Sequence, residues 1–222
     1  MDYKGLALVL KRTNYGEADR IVHFLTPEGD IGALAKGVRK EKSRLAGGIE
    51  PFCLCEIVVR MGKGELGTLT FARLQQFYGG ILADYDKLQL GYEALKMVNK
   101  ATFGISDGSF FDILRQVLEG VDSGGDLTMV RAWLYLNMAK TSGAEPNLRM
   151  DSHGMKLIED GKYEFDVEHE VLVPMASGVI GAEHIKLARL MLVGKLKMVL
   201  KVKVGADIAE QVLQFANKLA RI

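Results

Sequence analysis

Cations dominate one short stretch of the sequence, between positions 36 and 44. The segment Lys36-Gly37-Val38-Arg39-Lys40-Glu41-Lys42-Ser43-Arg44 holds five cations and one acid in nine residues. Clustered cations suit the phosphates of a nucleic acid, because each neutralised phosphate releases counterions into the solvent. A solvated loop without a ligand is the alternative interpretation. Cations on the neighbouring predicted strands favour binding: Arg12, Arg20, Arg60 and Arg73.

Aromatic residues in the same part of the chain provide the second component of a single-strand site. Unpaired bases stack on exposed aromatic faces beside a positively charged groove. Each aromatic residue nearby is also compatible with a place in a hydrophobic core. The candidates for stacking are Tyr15, Phe24, Phe71 and Phe77.

A second run of cations lies further along the chain. Lys195, Lys197, Lys201 and Lys203 are interleaved with aliphatic residues between positions 196 and 204. Lysines of this kind commonly lay their aliphatic stems over an apolar face while the ammonium group stays in water. A docking site for an acidic peptide is the sharper alternative, so these four lysines are candidate partner-binding residues.

The segment Gly62-Lys63-Gly64-Glu65-Leu66-Gly67 matches the G-x-G-x-x-G pattern of dinucleotide-binding loops. That pattern binds a pyrophosphate only where a strand precedes it and a helix follows, because the N-terminus of the helix holds the phosphates. Residues 68–74 alternate as a strand does and lack a helix cap. We therefore predict a hairpin connection whose glycines take positive φ.

Cysteine and histidine show no catalytic or metal-binding pattern. Cys53 and Cys55 have the spacing of neither a redox motif nor a zinc half-site, so two small buried side chains are expected. His153 and His169 lie near acids, but the flanks of a hairpin give metal ligands no reason to converge. No nucleophile stands in a recognisable catalytic loop. The sequence predicts no metal, no cofactor and no enzyme activity.

The composition is that of an ordinary folded protein. Of the 222 residues, 48% are hydrophobic and 26% are charged, and the formal net charge is +1. No stretch approaches the ~20 apolar residues that cross a bilayer, and no signal-peptide pattern opens the chain. A cytoplasmic protein without membrane contact is expected.

Residues 1–79 show the pattern of an all-β module. Thr26-Pro27-Glu28-Gly29-Asp30 marks a tight turn, because proline presets φ and glycine supplies positive φ. A long cationic connection separates the third predicted strand from the fourth. Five short strands with one long loop predict a small Greek-key barrel. The predicted strands are 6–10, 21–25, 31–35, 52–61 and 68–77.

After Gly79-Gly80 the apolar period changes from 2 to 3.6, which predicts helices. Lys156-Leu157-Ile158 and Tyr163-Glu164-Phe165 flank the turn Glu159-Asp160-Gly161-Lys162, and this pattern predicts a β-hairpin. The predicted helices are 84–101, 109–120, 127–140, 182–193 and 206–221. The expected fold class is α+β. Its predicted domains are a barrel over 1–79 and a mostly helical domain over 80–222 with a hairpin insertion near 154–173.

Several segments resemble the N-terminal barrel of RecO, the bacterial recombination mediator. They include Leu8-Val9-Leu10-Lys11-Arg12, Tyr15-Gly16-Glu17-Ala18-Asp19-Arg20 and Leu34-Ala35-Lys36-Gly37-Val38-Arg39-Lys40. The resemblance continues through Ser43-Arg44-Leu45-Ala46-Gly47, Glu50-Pro51-Phe52 and Leu66-Gly67-Thr68-Leu69-Thr70. Its order and spacing run without interruption from about residue 7 to residue 77. The helical remainder is similar in architecture and in Arg131-Ala132-Trp133-Leu134-Tyr135.

The resemblance implies an OB-fold barrel that binds single-stranded DNA and a helical domain that supports partners. It implies a non-catalytic, nucleoid-associated protein that anneals complementary strands and helps load RecA onto DNA coated by single-strand-binding protein. Its partners would be RecR and the acidic C-terminal tail of single-strand-binding protein, with RecA an indirect partner. By motif match the DNA contacts include Lys36, Arg39, Lys40 and Arg44. The predicted site also takes in Lys42, Arg12, Arg20 and Arg73.

One departure from the family concerns metal. Many members insert a four-cysteine zinc module after the helix that here ends near Gly143, whereas this chain has no cysteine beyond Cys55. The predicted hairpin stands in that place and can supply by packing what zinc supplies by coordination. The residues alone are also compatible with two other functional classes: an RNA-binding OB-fold protein of translation, and an interaction scaffold without nucleic-acid contact.

Overall fold

The computed structural model describes residues 2–62, 64–102 and 108–220. Contacts divide the chain into two compact units, Met1–Asp122 and Ser123–Ile222. The first unit contains a barrel and two helices. The second contains four helices and a small sheet.

Five strands of the first unit close into a barrel in the order β1-β2-β3-β5-β4, and β4 pairs in turn with β1. The pairs are antiparallel except for β3 with β5, which is parallel. The strands are β1 Asp2–Tyr15, β2 Asp19–Thr26, β3 Gly29–Ala35, β4 Cys53–Arg60 and β5 Gly67–Phe77. This is the closed five-stranded OB-type barrel that the sequence predicted, and β1 is longer than expected.

Alternation along the strands fills the barrel. On β4, Cys55, Ile57 and Val59 are buried while the residues between them are less so, because successive side chains of a strand point to opposite faces. Burial raises the pKa of the Cys55 thiol to about 12. Cys53 is buried as well, and its thiol pKa rises to about 11 for the same reason. Both cysteines are thus the small buried side chains that were predicted.

The turn between β2 and β3 forms as the sequence predicted. Gly29 has a φ of 120°, a conformation that glycine adopts at little cost. The Thr26 hydroxyl accepts a hydrogen bond from the N–H of Glu28 at 3.1 Å and donates one to the carbonyl of Gly29 at 2.9 Å. These bonds satisfy the buried Thr26 hydroxyl and fix the register of the two strands.

The helices of the first unit cover part of the outside of the barrel. They are α1 Tyr85–Thr102 and α2 Ser109–Asp122, and a short 3₁₀ turn, Gly79–Ala83, connects β5 to α1. Leu8 and Leu25 alternate with residues that point into the barrel, yet they are fully buried. They are buried because α1 lies against β1 and α2 lies against β2.

The junction between β5 and α1 is tied to the end of α2. The N–H of Gly80 donates to the Asp122 carboxylate at 2.7 Å. A Cβ atom at position 80 would lie 2.7 Å from the Asp122 carbonyl oxygen, so the close approach requires glycine. The Gly79-Gly80 pair is therefore a tightly packed connection between strand and helix.

In its described residues, the second unit contains four helices and a three-stranded sheet. Its helices are α3 Leu127–Thr141, α4 Ala182–Val193, α5 Leu196–Val199 and α6 Ala206–Leu219. Asp126 caps α3 by accepting a hydrogen bond from the N–H of Met129 at 3.0 Å. Trp133 is buried on α3, and its indole N–H donates to the carbonyl of Gly194 at 2.9 Å. The Trp133 bond fixes α3 against the connection between α4 and α5.

The sheet of the second unit contains a hairpin in the predicted region, but its two strands are not the two that were predicted. It comprises β6 Asn147–Asp151, β7 Tyr163–Asp166 and β8 Val171–Pro174 in the order β6-β8-β7. The hairpin joins β7 to β8 antiparallel, so its turn lies at 167–170 rather than at 159–162. Lys156 makes only an isolated bridge to Met150. The predicted pairing of 156–158 with 163–165 is therefore wrong.

The predicted helices are confirmed to within two residues, except that the predicted end at residue 221 lies outside the described part of the chain. The change from strands to helices falls near Gly79-Gly80 as expected. The contact-defined units instead divide between Asp122 and Ser123, and a separate barrel domain over 1–79 stays a prediction. Among the described helices, none is long and apolar enough to cross a membrane.

Candidate nucleic-acid interface

The cationic loop, residues 36–44, is fixed at its start to the turn between β1 and β2. The N–H of Gly37 donates to the Asp19 carboxylate at 2.6 Å, and the N–H of Arg39 donates to the carbonyl of Ala18 at 2.9 Å. Between them, Val38 is 3% exposed and belongs to the barrel core. Gly37 takes a φ of 63°, which turns the chain out of β3. The first half of the loop is thus anchored rather than freely flexible.

All five cations of this loop are exposed to solvent. The guanidinium of Arg39 donates to the carbonyl of Gly16 at 3.4 Å. Within the described residues, the other four cations have no carboxylate partner within ion-pair distance. Their charge is therefore available to an anion in solution. The exposed cations are Lys36, Arg39, Lys40, Lys42 and Arg44.

Arg12 and Arg20 lie together beside the cationic loop and share one carboxylate. The guanidinium of Arg12 contacts Glu50, and Nη1 of Arg20 lies 3.8 Å from the same Oε1 atom. Arg20 of β2 pairs with Ala35 of the neighbouring strand β3, the residue before the loop. The structure thus brings both arginines to the predicted site, with Glu50 holding them and reducing their net charge to one positive unit.

Arg73 does not join this group. Its guanidinium pairs with Glu56 of β4 at 2.8 Å. Glu56 lies opposite Leu6 of β1, and Leu6 is six residues before Arg12. At the usual rise of a strand, this separation places Glu56 about 20 Å from Arg12 along β1. Any role of Arg73 in binding therefore concerns a different part of the barrel surface.

The aromatic candidates divide into exposed and buried residues. Phe24 is fully buried in the barrel core, so its proposed stacking role is wrong. Tyr15, Phe71 and Phe77 are exposed large side chains on strand ends and faces. Residue type alone could not separate these cases, because a strand directs alternate side chains to opposite faces.

The lysines of the second unit surround the short helix α5. Leu196 and Val199 of α5 are buried, and all four lysines are exposed. Lys203 lines a groove between α4 and α6 together with Lys186 and Leu190. Of the four lysines, Lys203 thus lies at this partly apolar groove, which Glu183 also lines, and the acidic-peptide site stays a prediction. The four residues are Lys195, Lys197, Lys201 and Lys203.

The glycine motif at 62–67 leads into a strand. Its last residue, Gly67, is the first residue of β5, so no helix N-terminus faces this turn, and Lys63 lies outside the described residues. Gly62 and Gly67 do not take the predicted positive φ. At Gly67 the requirement is space, because a Cβ there would collide with Cγ1 of Val59.

The histidines lie apart from any metal-ligand cluster in the described chain. His169 pairs with Asp166 at 2.9 Å in the turn between β7 and β8. That hydrogen bond raises the pKa of His169 and lowers the pKa of Asp166. The pair thus closes the hairpin turn.

Two residues of the site were missed by reasoning from the sequence. Asp19 and Glu50 are acids in a cationic region, and both position cations: Asp19 holds the start of the cationic loop, and Glu50 holds Arg12 and Arg20. Asp19 belongs to the Tyr15–Arg20 motif, so its place in that motif was the available signal.

A closed OB-type barrel that carries a cationic loop belongs to a class of folds that bind oligonucleotides. Comparison with known proteins gives the family: residues 1–78 match the model described as "Recombination protein O N terminal". Residues 1–78 thus contain the N-terminal domain of the RecO family.

Several curated proteins named "DNA repair protein RecO" are similar to this chain. The protein of Dehalococcoides mccartyi (strain CBDB1) is 31% identical over 150 residues, which cover 67% of this chain and 59% of that protein. The Rubrobacter xylanophilus protein is 30% identical over 148 residues, covering 66% and 59%. The Bacillus pumilus protein is 28% identical over 167 residues, covering 74% and 64%. The matched part of the chain thus spans less than two thirds of the length of these relatives.

Proposed function

We propose that this protein is a non-catalytic, single-stranded-DNA-binding mediator of recombinational DNA repair. The observation that carries the proposal is the cationic loop, whose exposed cations are held on the barrel through Asp19, Ala18 and Val38. An anchored loop loses less conformational entropy on binding than a free one does. The relatives named as DNA repair proteins support the repair context.

The arrangement favours backbone recognition over sequence recognition. The loop cations contact anions without regard to base identity, and log K for single strands falls with salt by about 0.7 per neutralised phosphate. A mediator that anneals any complementary strands requires such tolerance. The predicted DNA-binding residues are Lys36, Arg39, Lys40, Lys42, Arg44, Arg12 and Arg20, with Arg73 at a separate position.

The remaining parts of the proposal concern partners. The chain would work in the cytoplasm on nucleoid DNA, anneal complementary strands and help load RecA onto DNA coated by single-strand-binding protein. RecR and the acidic tail of single-strand-binding protein are its proposed partners. For the tail, the lysines around α5 supply positive charge, and Lys203 places one of these charges at the groove between α4 and α6.

The test is the salt dependence of oligonucleotide binding. Fluorescence anisotropy with a labelled oligo(dT) measures Kd for the wild type and for the variant with Lys36, Arg39 and Lys40 each changed to Ala. If each cation contacts one phosphate, the slope of log K against log salt falls in magnitude by about 2. Unfolding in urea stays unchanged, because the three side chains are exposed.

A matched control removes the same charge elsewhere in the first unit, by changing Lys4, Lys87 and Lys96 to Ala. This control retains the wild-type slope if the loop is the site. Equal losses in the two variants would show that net charge alone governs binding and would contradict the site assignment. A marked preference for RNA of the same sequence would favour the RNA-binding alternative.

A further inference from the structure

An open groove with an aromatic lining lies on the first unit, next to the end of the cationic loop. Four apolar side chains on its walls are about half exposed: Leu74 45%, Phe77 46%, Leu82 53% and Tyr92 51%. We call it the aromatic groove. Its lining includes Arg12, Gly47, Phe52, Phe77, Leu82 and Tyr92.

The floor of the aromatic groove is rigid. Phe52 is 1% exposed, and its ring meets the Tyr92 ring edge-on, with 4.9 Å between centroids and an interplanar angle of 62°. Its carbonyl accepts the N–H of Tyr78 at 3.0 Å. A Cβ at Gly91 would lie 2.8 Å from Cε1 of Phe52, so α1 approaches the ring as closely as glycine permits. Tyr92 thus packs edge-on against a ring that is itself buried.

The backbone of Phe52 is strained. Its φ is 60°, in the left-handed region that bulky residues with a Cβ rarely adopt. Strain of this kind persists only where the surrounding structure imposes it, and such residues cluster at binding sites. Here the strained residue is one that lines the groove, and its ring contacts the ring of Tyr92.

Charge at the mouth of the groove connects it to the cationic loop. Arg12 and Glu50 both line the groove as an ion pair, which Arg20 also approaches. Gly47 lines it too, and belongs to the 3₁₀ turn Ala46–Gly48 that follows the loop. A DNA strand whose phosphates lie on the cationic loop would reach the aromatic groove with its next nucleotides, because the turn Ala46–Gly48 joins the end of the loop to the groove.

We propose that the aromatic groove receives unpaired bases of single-stranded DNA, which stack on Phe77 and Tyr92 while their phosphates lie on the cationic loop. This inference rests on the proposed function. Duplex DNA does not suit the groove, because its bases are already stacked on one another. The groove thus gives the barrel a means of distinguishing single strands from duplexes.

The experiment distinguishes the contribution of the bases to affinity from the contribution of the phosphates. Anisotropy titrations compare oligo(dT) with an oligonucleotide of equal length in which every nucleotide is abasic. Base stacking is commonly worth a factor of roughly 10 in affinity per base, so the wild type should bind oligo(dT) at least roughly 10-fold more tightly than the abasic strand.

The variants Phe77→Leu and Tyr92→Leu keep an apolar side chain but remove the aromatic face. Each should reduce the preference for oligo(dT) several-fold and leave affinity for the abasic strand unchanged. Tyr85→Leu is the matched control, because Tyr85 is a 70% exposed tyrosine on the same helix that does not line the groove. The control should retain the full preference. Thermal unfolding of each variant confirms that Phe52 keeps its packing.

The two oligonucleotides distinguish base stacking in the groove from phosphate binding by the loop. Equal affinity of the wild type for the two oligonucleotides would overturn the groove assignment and leave phosphate binding by the loop intact. Absence of binding to both would overturn the proposed function as well. Concentration-dependent dimerisation that Phe77→Leu abolishes would assign the groove to a second copy of the chain, against the present inference.

Discussion

At the scale of single residues, Tyr78 is an unusual polar group in the first unit. Its side chain is fully buried where β5 leads towards α1, and its hydroxyl has no hydrogen-bond partner among the described residues. Burial, with Glu119 nearby, raises the pKa of Tyr78 to about 12. A buried hydroxyl without a partner loses its hydrogen bonds to water and gains none in the protein, which lowers the free energy of unfolding by about 1 to 3 kcal/mol.

Changing Tyr78 to Phe should therefore stabilise the protein by about 1 kcal/mol at neutral pH, because it removes the unsatisfied hydroxyl and keeps the ring. Folding raises the pKa of Tyr78, so the folded state holds the phenol proton more tightly than the unfolded state does. The free energy of unfolding of the wild type is therefore constant below about pH 10 and falls as pH rises towards 12. The advantage of the variant should consequently grow above about pH 10. Urea midpoints at pH 7 and pH 10.5 measure both effects, and a lower midpoint at pH 7 would contradict the first.

At the scale of elements, the site depends on contact between two connections that are distant in sequence. The β1–β2 turn supplies Asp19 and Ala18, and the cationic loop supplies the N–H groups of Gly37 and Arg39. Hydrogen bonds to a charged acceptor contribute about 1.5 to 3 kcal/mol. The Asp19 carboxylate is therefore the strongest single anchor of the loop.

Asp19→Ala should release the loop and raise its rate of cleavage by trypsin roughly 10-fold, because the loop must open locally to enter the protease and loses one charged hydrogen bond. Asp19→Asn retains an acceptor oxygen and should cause a much smaller increase. Glu17→Ala is the control, since Glu17 is an exposed acid of the same turn. Limited proteolysis followed by mass spectrometry locates the cut, and equal rates for the Asp19→Ala variant and the wild type would refute the anchoring role.

The elements with a strong local signal were predictable from the sequence. Helices with clear apolar periodicity and the Gly29 turn appeared where expected. The hairpin was misplaced because Tyr163–Asp166 has two possible neighbours, and the pairing with Val171–Pro174 is decided by the sheet rather than by the Gly161 turn signal. The contribution of β6 was missed because it joins that sheet through a nonlocal parallel pair.

The charges of the candidate site and its aromatic residue Phe77 were predictable from the sequence, but the contacts between distant residues were not. The cations from Lys36 to Arg44 are adjacent in sequence, so composition found them. The ion pair of Arg12 with Glu50 joins residues 38 positions apart, and Tyr92 reaches the groove from a helix. Phe24 and Phe77 differ in burial because of the face each occupies, which depends on strand register.

At the scale of the first unit, the barrel shares its hydrophobic surface with the helices that follow. Leu8 and Leu25 lie on the outer face of the barrel and are fully buried, as are Phe52 and Tyr78 near the junction with α1. Removal of α1 and α2 would expose such side chains to water. Each large apolar side chain so exposed costs about 1.5 to 3 kcal/mol.

A chain of residues 1–122 should therefore fold cooperatively, whereas a chain of residues 1–79 should not, because four such exposures cost about as much as the 5 to 15 kcal/mol that stabilises a typical domain. Circular dichroism and urea unfolding of the two fragments test this. The substitution of Leu8 and Leu25 by Thr in the shorter fragment is the control for aggregation, since it removes exposed apolar surface and places β-branched side chains, which suit strands, at both positions. A cooperative transition of the 1–79 fragment at the midpoint of the longer one would show that the barrel is an independent domain, as its sequence pattern alone predicted.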